Sequence, residues 1–542
     1  MSTYLNLRDF GKKVTTTSVE CQGLINHGLL QLFGFNREEA IRCFEKALHF
    51  DKNCAMAHYF IAYGNAPYYN NPDGFDLATG FEESRKAMEE AKNGSVCDWE
   101  MDLIKAQLQR FCSPPGSQPS TESNKSYVNE MRLVYQKYGK EDVDIAAFFA
   151  EALMQLAPWK LWTSPPDYKP AIPETEELTL VLETALKTSP DHPGLCHFYI
   201  HTMELSSTPE KALLAADALR NGLEHGHLLH MASHIDGHYK EAIDVNKIAV
   251  DVHELYVEKT GHDNDFYTEY RLHNYLFVTW AAMFDGQYAT AMKYAKALEK
   301  QITVQTATLV VGSAQLGVMF LEPYACAPWH VLIRCGKWEE ILNYPIKEEK
   351  DVYVSTIATA HYARAVAFAV TGRLKEAEAE RSKFYNSLKN ETFKDRYLHN
   401  NLMHDSKHHC GILDVAEVVM NGEVEYQKGN IEEGFKHLRL AVERDTNLMY
   451  DEPWGWMMPS RHVLGALLLE QGRAAEAEVV YHEDLNQYKN NMWSLLGLCQ
   501  ALKQQGKVEE AKVTQDLFQK ASVRADVNIQ ASCLCATKIC CH

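Results

Sequence analysis

The segment GFNREEAIRCFEKALHFD, residues 34–51, carries the pattern that decides the fold of this chain. Gly34 is followed by Ala40, Phe44 and Ala47, and the last three lie at helical spacing, so small and aromatic side chains share one helix face. Small residues let the two helices of a hairpin approach closely, while an aromatic ring fills the gap to the next hairpin. The segment therefore predicts a helical hairpin.

Related phrases recur along the chain. Further copies begin at Gly237, Gly286, Gly372, Gly429, Gly472 and Gly506. The order of Gly, Tyr or Phe, Ala, Phe and Ala resembles the tetratricopeptide repeat, and the last two copies are separated by its period. Strand signals are scarce. We therefore expect an all-α fold, a tetratricopeptide-like α-α superhelix of stacked hairpins that is imperfect in its middle.

Length and composition restrict the classes of protein. A chain of 542 residues exceeds what one core supports, and 46% hydrophobic residues are typical of a folded protein. A net charge of -19 disfavours nucleic acid, since phosphate binding needs clustered Lys and Arg. Neither a secretory signal nor an apolar run long enough to cross a bilayer is evident, so we expect a cytoplasmic protein that binds no membrane.

Changes in composition suggest where the chain divides. Segments rich in Pro, Ser or polar residues at 112–126, 162–173 and 390–410 predict loops. The expected regions are N-terminal tetratricopeptide-like helices at 1–111, a central helical array at 127–390, C-terminal repeats at 411–525 and a Cys-rich tail at 526–542.

The tail concentrates thiols that are scattered elsewhere. The sequence holds 14 cysteines, and the ending ASCLCATKICCH contains Cys533, Cys535, Cys540, Cys541 and His542. These side chains could chelate zinc or copper. The alternative is a frayed end, because zinc modules usually pair two knuckles across an intervening element and none is evident here.

Histidines are dense between Asp191 and Tyr239. His197 and His201 stand four residues apart, as do His230 and His234. Side chains at this spacing project from one face of a helix, where two imidazoles can share a metal ion. The alternative is structural, since histidines on semi-apolar helices often bond loop carbonyls inside a helical array.

Local signals place these histidines on two short helices. Asp191 as N-cap and Pro193 in the first turn predict a helix over Cys196–Leu205. The second pair and one further histidine form a single helical stripe: His227, His230 and His234. Glu204, three residues after His201, could add an oxygen ligand or orient an imidazole.

Several segments of the chain are HPGLCHFYIH, GHLLHMASHI, CAMAHYFIAYGN, YRLHNYLF and DEPWGWMMPSR. Together they resemble a family of tetratricopeptide-repeat proteins of bacteria and eukaryotes, which has the motifs HPGxxHxYIH and GHLxHMPxHI. The motif histidines have counterparts here: His192, His197, His201, His227, His230 and His234. Ala232 stands where the family usually has Pro. The resemblance also implies a site role for His58, His273 and Asn274.

The donor set indicates the kind of ion. Imidazoles with few carboxylates favour copper, while zinc or iron could also be held. Aromatic residues at Trp159, Trp162, Trp454 and Trp456 could wall a pocket. Three polar residues near the second pair could contact a substrate: Asp451, Glu452 and Arg461.

Two functions of different classes follow. The first is a metal-dependent enzyme, a copper-type oxidoreductase acting on a small molecule in a His-lined cavity, with a zinc hydrolase as its runner-up. The second is an adaptor that binds a protein or peptide on a concave face, with structural histidines. Walker A, dinucleotide-binding, GxSxG and HExxH motifs are missing from the sequence.

Overall fold

A computed structural model describes residues 10–536 except residue 95 and residues 164–166, 222–223, 235–237 and 312–314. The chain forms two compact units. Unit 1 comprises Met1–Ile235 and Ile248–Tyr267, and unit 2 comprises Asp236–Lys247 and Thr268–His542. The four regions expected from composition divide the chain more finely than these units and stay a prediction.

Unit 1 is built of helices that pack mostly against their neighbours in sequence. They are α1 (Val19–Phe33), α2 (Arg37–Phe50), α3 (Ala55–Asn65), α4 (Leu77–Asn93), α5 (Asp98–Gln107), α6 (Thr121–Tyr138), α7 (Val143–Met154), α8 (Glu174–Leu186), α9 (Pro193–Met203), α10 (Leu213–Arg220) and α11 (Gly226–Met231). Helix α12 (Tyr239–Thr260) begins in unit 2 and ends in unit 1. Helix α9 also packs on α1, α7 and α11, which brings distant parts of the sequence together.

Unit 2 continues the series. Its helices are α13 (Tyr267–Phe284, whose first residue belongs to unit 1), α14 (Tyr288–Gln301), α15 (Val304–Ala307), α16 (Ala327–Arg334), α17 (Trp338–Asn343), α18 (Val354–Val370), α19 (Leu374–Ser387), α20 (Ile412–Gln427), α21 (Ile431–Thr446), α22 (Ser460–Glu470), α23 (Ala474–Gln487), α24 (Met492–Gln504) and α25 (Val508–Ala521). Strands β1 (Tyr397–Leu398) and β2 (Asn401–Leu402) pair antiparallel, with Tyr397 opposite Leu402. The all-α prediction is confirmed, and this small hairpin lies in the segment 390–410 that was expected to be a loop.

The repeated glycines form the turns of the hairpins. Gly286, Gly372, Gly429, Gly472 and Gly506 lie two residues after a helix ends, with φ between 68° and 90°. Glycine is favoured there because a Cβ atom disfavours left-handed backbone. Their role is therefore to reverse the chain, which corrects the expectation that they let helices approach closely. Gly237 lies outside the described residues.

The predicted loops are observed in part. Helix α6 begins at Thr121 with Ser120 as its N-cap, so the loop expected at 112–126 is shorter than predicted. In the described part of 162–173, Trp162 pairs with Pro170 as an isolated bridge. Among the described residues, no helix combines the length and apolar character needed to cross a bilayer.

Unit 1 contains a buried charge network on α2, α3 and α7. The Glu151 carboxylate lies 3.3 Å from an Arg37 nitrogen and 3.1 Å from an Arg110 nitrogen, and it accepts a hydrogen bond from Tyr63 at 2.8 Å. Both guanidinium groups are at most 2% exposed and stack on Tyr63. One carboxylate therefore compensates two buried cations, and aromatic faces supply further stabilisation.

Glu151→Gln should lower the free energy of unfolding by about 3–5 kcal/mol, because it leaves two buried cations without a counter-charge. Denaturant unfolding measures the loss. The matched control is Glu177→Gln, which breaks a more exposed pair with Arg132 and should cost no more than about 1 kcal/mol. Equal losses in the two variants would contradict the network.

Unit 2 buries a histidine among apolar side chains. His330 on α16 contacts the Trp456 ring with centroids 5.6 Å apart, and its Nδ1 atom has no hydrogen-bond partner among the described residues. Burial lowers the pKa of His330 to about 4. An unfolded histidine takes up its proton below about pH 6.5, so the unfolded chain binds more protons between these two values.

His330 should therefore make the chain less stable as the pH falls from about 6.5 towards 4, with the penalty absent above that window. His330→Phe removes this titration. Its stability relative to the wild type should rise by about 2 kcal/mol between about pH 7.5 and about pH 5. Urea unfolding at the two pH values tests this, and a constant difference would refute it.

Candidate metal centre

Helix α9 carries the first histidine pair. Its N-cap is His192, whose Nδ1 accepts from the Leu195 amide at 3.1 Å, so the cap lies one residue after the predicted Asp191, while Pro193 stands in the first turn as predicted. The His192 Nε2 atom lies 3.0 Å from an Asp144 oxygen. Because both ring nitrogens are engaged, His192 is a structural residue.

Helix α11 carries the next histidines and is shorter than the predicted stripe. It covers only six residues, with His225 as its N-cap. His227 and His230 lie within the helix, whereas His234 follows it in the succeeding turn. The turn that follows α11, rather than a continuous helix face, therefore places His234 beside His230.

Five imidazoles form a closed circle in unit 1, which we call the histidine cluster. Ring centroids are separated by 4.9 Å for His197–His201, 5.6 Å for His201–His234, 4.7 Å for His234–His230, 5.7 Å for His230–His227 and 4.9 Å for His227–His197. Each of these residues is at most 5% exposed. The packing of α9 on α11 thus places both predicted pairs in one buried group.

Glu204 connects two members of the cluster. One carboxylate oxygen lies 3.0 Å from His201 Nδ1, and the other lies 2.8 Å from His234 Nδ1. With protons on these Nδ1 atoms, both rings donate to Glu204 and present Nε2 lone pairs. A carboxylate that accepts a hydrogen bond from one ring nitrogen commonly orients a histidine whose other ring nitrogen binds a metal.

The Nε2 atoms are placed to share a ligand. His197 donates from Nδ1 to the Phe33 carbonyl at 2.5 Å when Nδ1 is protonated. Its Nε2 atom and that of His201 are buried and have no hydrogen-bond partner among the described residues. The donor atoms of His197, His201 and His227 all lie within 4.8 Å of one another. An unsatisfied buried nitrogen is costly, and a bound cation would remove that cost.

A second part of the cluster offers similar geometry. The Nε2 atoms of His230 and His234 lie 2.8 Å apart. Donor atoms of His201, Glu204 and His234 also fall within 4.8 Å of one another. The cluster therefore has enough nitrogen donors for one ion or for two adjacent ions.

Burial sets the protonation of these groups. It lowers the pKa of His197 and His227 well below the usual value and that of His201 and His234 to about 3. Burial raises the pKa of Glu204 to about 7, and the hydrogen bond from His234 opposes that rise. The four imidazoles are therefore neutral at physiological pH, the form that ligates a metal.

Aromatic side chains cover the cluster. The Phe35 ring lies 4.3 Å from that of His197 and also stacks on His201 and His227, with all distances between centroids. The rings of Tyr69 and Trp159 lie 4.9 and 5.5 Å from His201. These contacts leave the imidazoles in an apolar, dry environment, which strengthens electrostatic interactions.

Phe35 occupies a strained position. It lies two residues after α1 ends and has φ of 58°, whereas the matching position after α13, α18, α20, α22 and α24 is glycine. Left-handed backbone costs a bulky residue about 1–2 kcal/mol. The position therefore keeps a strained Phe because its ring covers the cluster. Phe35 was not predicted as a site residue. The available signal was that a Phe stands at a repeat position where other copies have glycine.

Phe35→Gly should relieve the backbone strain yet still lower the free energy of unfolding by about 2–3 kcal/mol, because losing a buried phenyl ring costs roughly 3–5 kcal/mol. Denaturant unfolding at neutral pH measures the balance. A more stable variant would show that the ring is not needed to close the cluster.

His58 and His273, two further predicted ligands, each have contacts within their own unit. His58 on α3 bonds Glu83 through Nδ1 at 2.6 Å. His273 and Asn274 are buried on α13 in unit 2, where His273 Nδ1 lies 3.3 Å from His399 Nε2. Their predicted site role stays a prediction.

The proposed aromatic wall is distributed over both units. Trp159 and Trp162 belong to unit 1, where Trp162 donates to the Thr202 carbonyl at 2.6 Å, while Trp454 and Trp456 belong to unit 2. Trp454 packs on Tyr450 and Tyr488.

The three polar candidates near Trp454 have partners of their own. Arg461 donates to Thr446 and Gln487, Asp451 accepts from Asn400 and Asn401, and Glu452 bonds Tyr450. These contacts hold together the chain around the second pair of tryptophans.

A comparison with protein families agrees with one of the helical hairpins. Residues 458–483, which span most of the α22–α23 hairpin, match the tetratricopeptide repeat. The human IFIT1 dimer with m7Gppp-AAAA is 14% identical, with 94% of this chain and 96% of that chain covered and a TM-score of 0.33. Yeast Tom70 is 12% identical, with 92% and 96% covered and a TM-score of 0.28. No curated protein matches the chain.

Proposed function

We propose that this chain is a metal-binding helical-repeat protein whose histidine cluster holds one or two transition-metal ions. The observation that carries the proposal is the pair of buried Nε2 atoms of His197 and His201, which have no partner among the described residues and lie near His227. Nitrogen atoms left unsatisfied in this way would be stabilised by a shared cation.

The donor set supports copper most strongly. Five imidazoles and one carboxylate favour a borderline ion, and copper(II) binds such sites more tightly than other divalent first-row metals. Zinc or iron is a possible occupant. Glu204 would keep the Nε2 atoms of His201 and His234 directed at the ion by holding their Nδ1 protons.

Copper would supply one-electron redox chemistry, and the proposed activity is therefore an oxidoreductase acting on a small molecule. The residues of the cluster would hold the ion, orient its ligands and exclude water. A zinc ion in the same place would instead activate water for hydrolysis, which is the alternative enzymatic activity.

Metal analysis of protein purified without a histidine tag tests the proposal. The wild type should hold at least one transition-metal ion in the histidine cluster, and His197→Ala combined with His230→Ala should lower the metal content of the chain by that amount. The matched control His192→Asn keeps an N-cap acceptor outside the cluster and should retain the metal. A metal-free wild type after incubation with copper and zinc would exclude the proposal.

Glu204 should act by positioning imidazoles. Glu204→Gln, which loses the negative charge, should weaken copper affinity roughly 10- to 100-fold. Competition with a chelator measures the change, and the copper(II) electron paramagnetic resonance spectrum should keep its nitrogen couplings but shift. An unchanged affinity and spectrum would show that Glu204 only stabilises the fold.

The second candidate function is an adaptor that binds a protein or peptide. The tetratricopeptide repeat at residues 458–483 favours it, and supports it more directly than it supports catalysis. A wild type that contains no metal and elutes with a defined partner would favour this function. In that case, removing the cluster histidines would leave partner binding unchanged.

A further inference from the structure

The C-terminal segment is an integral part of unit 2 as far as Ala536. Ser532 bonds the Tyr481 hydroxyl at 2.7 Å and the His462 carbonyl at 2.8 Å, while Arg334 donates to the Ser532 carbonyl at 2.9 Å. Cys533 and Cys535 are 8% and 1% exposed and pack among core side chains of α21–α24. The described part of the tail is therefore anchored, which argues against a frayed end.

The two thiols meet a carboxyl group from α20. The Cys533 sulfur accepts from the Cys535 amide at 3.4 Å, and the two thiols also contact each other. Glu423, which is 2% exposed, lies near the Cys535 thiol and lines the same small cavity as Cys533. Its Oε2 atom is buried and has no hydrogen-bond partner within the described ranges. A buried carboxyl oxygen without a hydrogen-bond partner is unfavourable and requires an explanation.

A small cavity lies beside these groups. Its volume is about 10 Å³, and its lining includes Glu423, Cys533 and Arg334. A space of this size is about what one water molecule needs. The unpartnered carboxyl oxygen, the thiol and the space therefore coincide in one place.

We infer that Cys533, Cys535 and Glu423 form a second metal site, for a thiophilic divalent cation such as zinc. Two sulfur ligands and one carboxylate oxygen leave one position of a tetrahedron, which a water molecule in the cavity can occupy. A C-x-C segment is short enough for both thiols to bind one ion. Binding displaces the thiol and carboxyl protons to solvent, because the ligands must be deprotonated.

Charge balance supports this assignment. Two thiolates and one carboxylate carry three negative charges, which one divalent cation and the Arg334 guanidinium neutralise together. Arg334 is 7% exposed, bonds His462 at 3.0 Å and stacks on Trp493. A buried cation of this kind is otherwise costly, so the ligands and Arg334 stabilise each other.

This site is independent of the histidine cluster and of the function proposed for it. Cobalt(II) distinguishes the two, because only thiolate ligands give an intense near-ultraviolet charge-transfer absorption. The full chain, stripped of metal with a chelator, is titrated with cobalt(II) and then with zinc. We expect one cobalt per chain to produce the thiolate band, and zinc to abolish it.

Substitutions test which residues give rise to the thiolate absorption band. Cys533→Ser and Cys535→Ser should remove it, and Glu423→Gln, which keeps the size of the side chain, should weaken cobalt affinity at least about tenfold. Cys499→Ser is the matched control, since Cys499 is a buried thiol of α24 that bonds the Ala511 carbonyl instead. It should leave the titration unchanged.

Two results would overturn the inference. The first is a wild type that gives no thiolate band, a measurement that does not depend on whether any variant folds. The second is a band that survives in Glu423→Gln with unchanged affinity and is lost in Cys21→Ser, which would place it on the pair formed by Cys21 and Cys54. Loss of metal from the histidine cluster alone would affect neither result.

Discussion

The arrangement of unit 1 depends on burying a cluster of five imidazoles, of which burial keeps at least four uncharged. Desolvation lowers the pKa of His197, His201, His227 and His234, so the folded chain keeps these rings neutral where water would leave some protonated. Neutral rings still need partners for both nitrogens. Glu204 satisfies Nδ1 of His201 and of His234, and the Phe33 carbonyl satisfies Nδ1 of His197. The Nε2 atoms of His197 and His201 are therefore the positions where a ligand has most to contribute.

The turn after α1 shows how a repeat can be adapted to such a site. In unit 2 the equivalent turns use glycine, which adopts positive φ easily. In unit 1 the same position is Phe35, whose ring covers the cluster at the expense of backbone strain. Phe in place of glycine at this one turn thus provides an aromatic ring that covers the cluster, which the glycine turns lack.

Sequence reasoning predicted the helical class and selected two histidine pairs that the structure places in one cluster, because hydrophobic periodicity and i, i+4 spacing are local properties. Their role as ligands stays a prediction. Sequence reasoning failed where the answer depended on long-range packing. His192 was indistinguishable from a ligand until Asp144, 48 positions away, was seen to bond it. The stripe through His234 was wrong because α11 ends at Met231, and the contribution of Phe35 depends on a turn that brings it against α9. Glu423 and Cys535 are likewise 112 positions apart, a separation that no local pattern bridges.

The buried charges of unit 1 connect to the cluster through aromatic contacts. Arg37, the first residue of α2, stacks on Tyr68, and Tyr68 contacts Phe35 with centroids 4.9 Å apart. Glu151 holds Arg37 from the other side. Protein interiors are close-packed, so neighbouring side chains of this kind constrain one another. The charge network therefore borders the residues that cover the imidazoles, although it contributes no ligand itself.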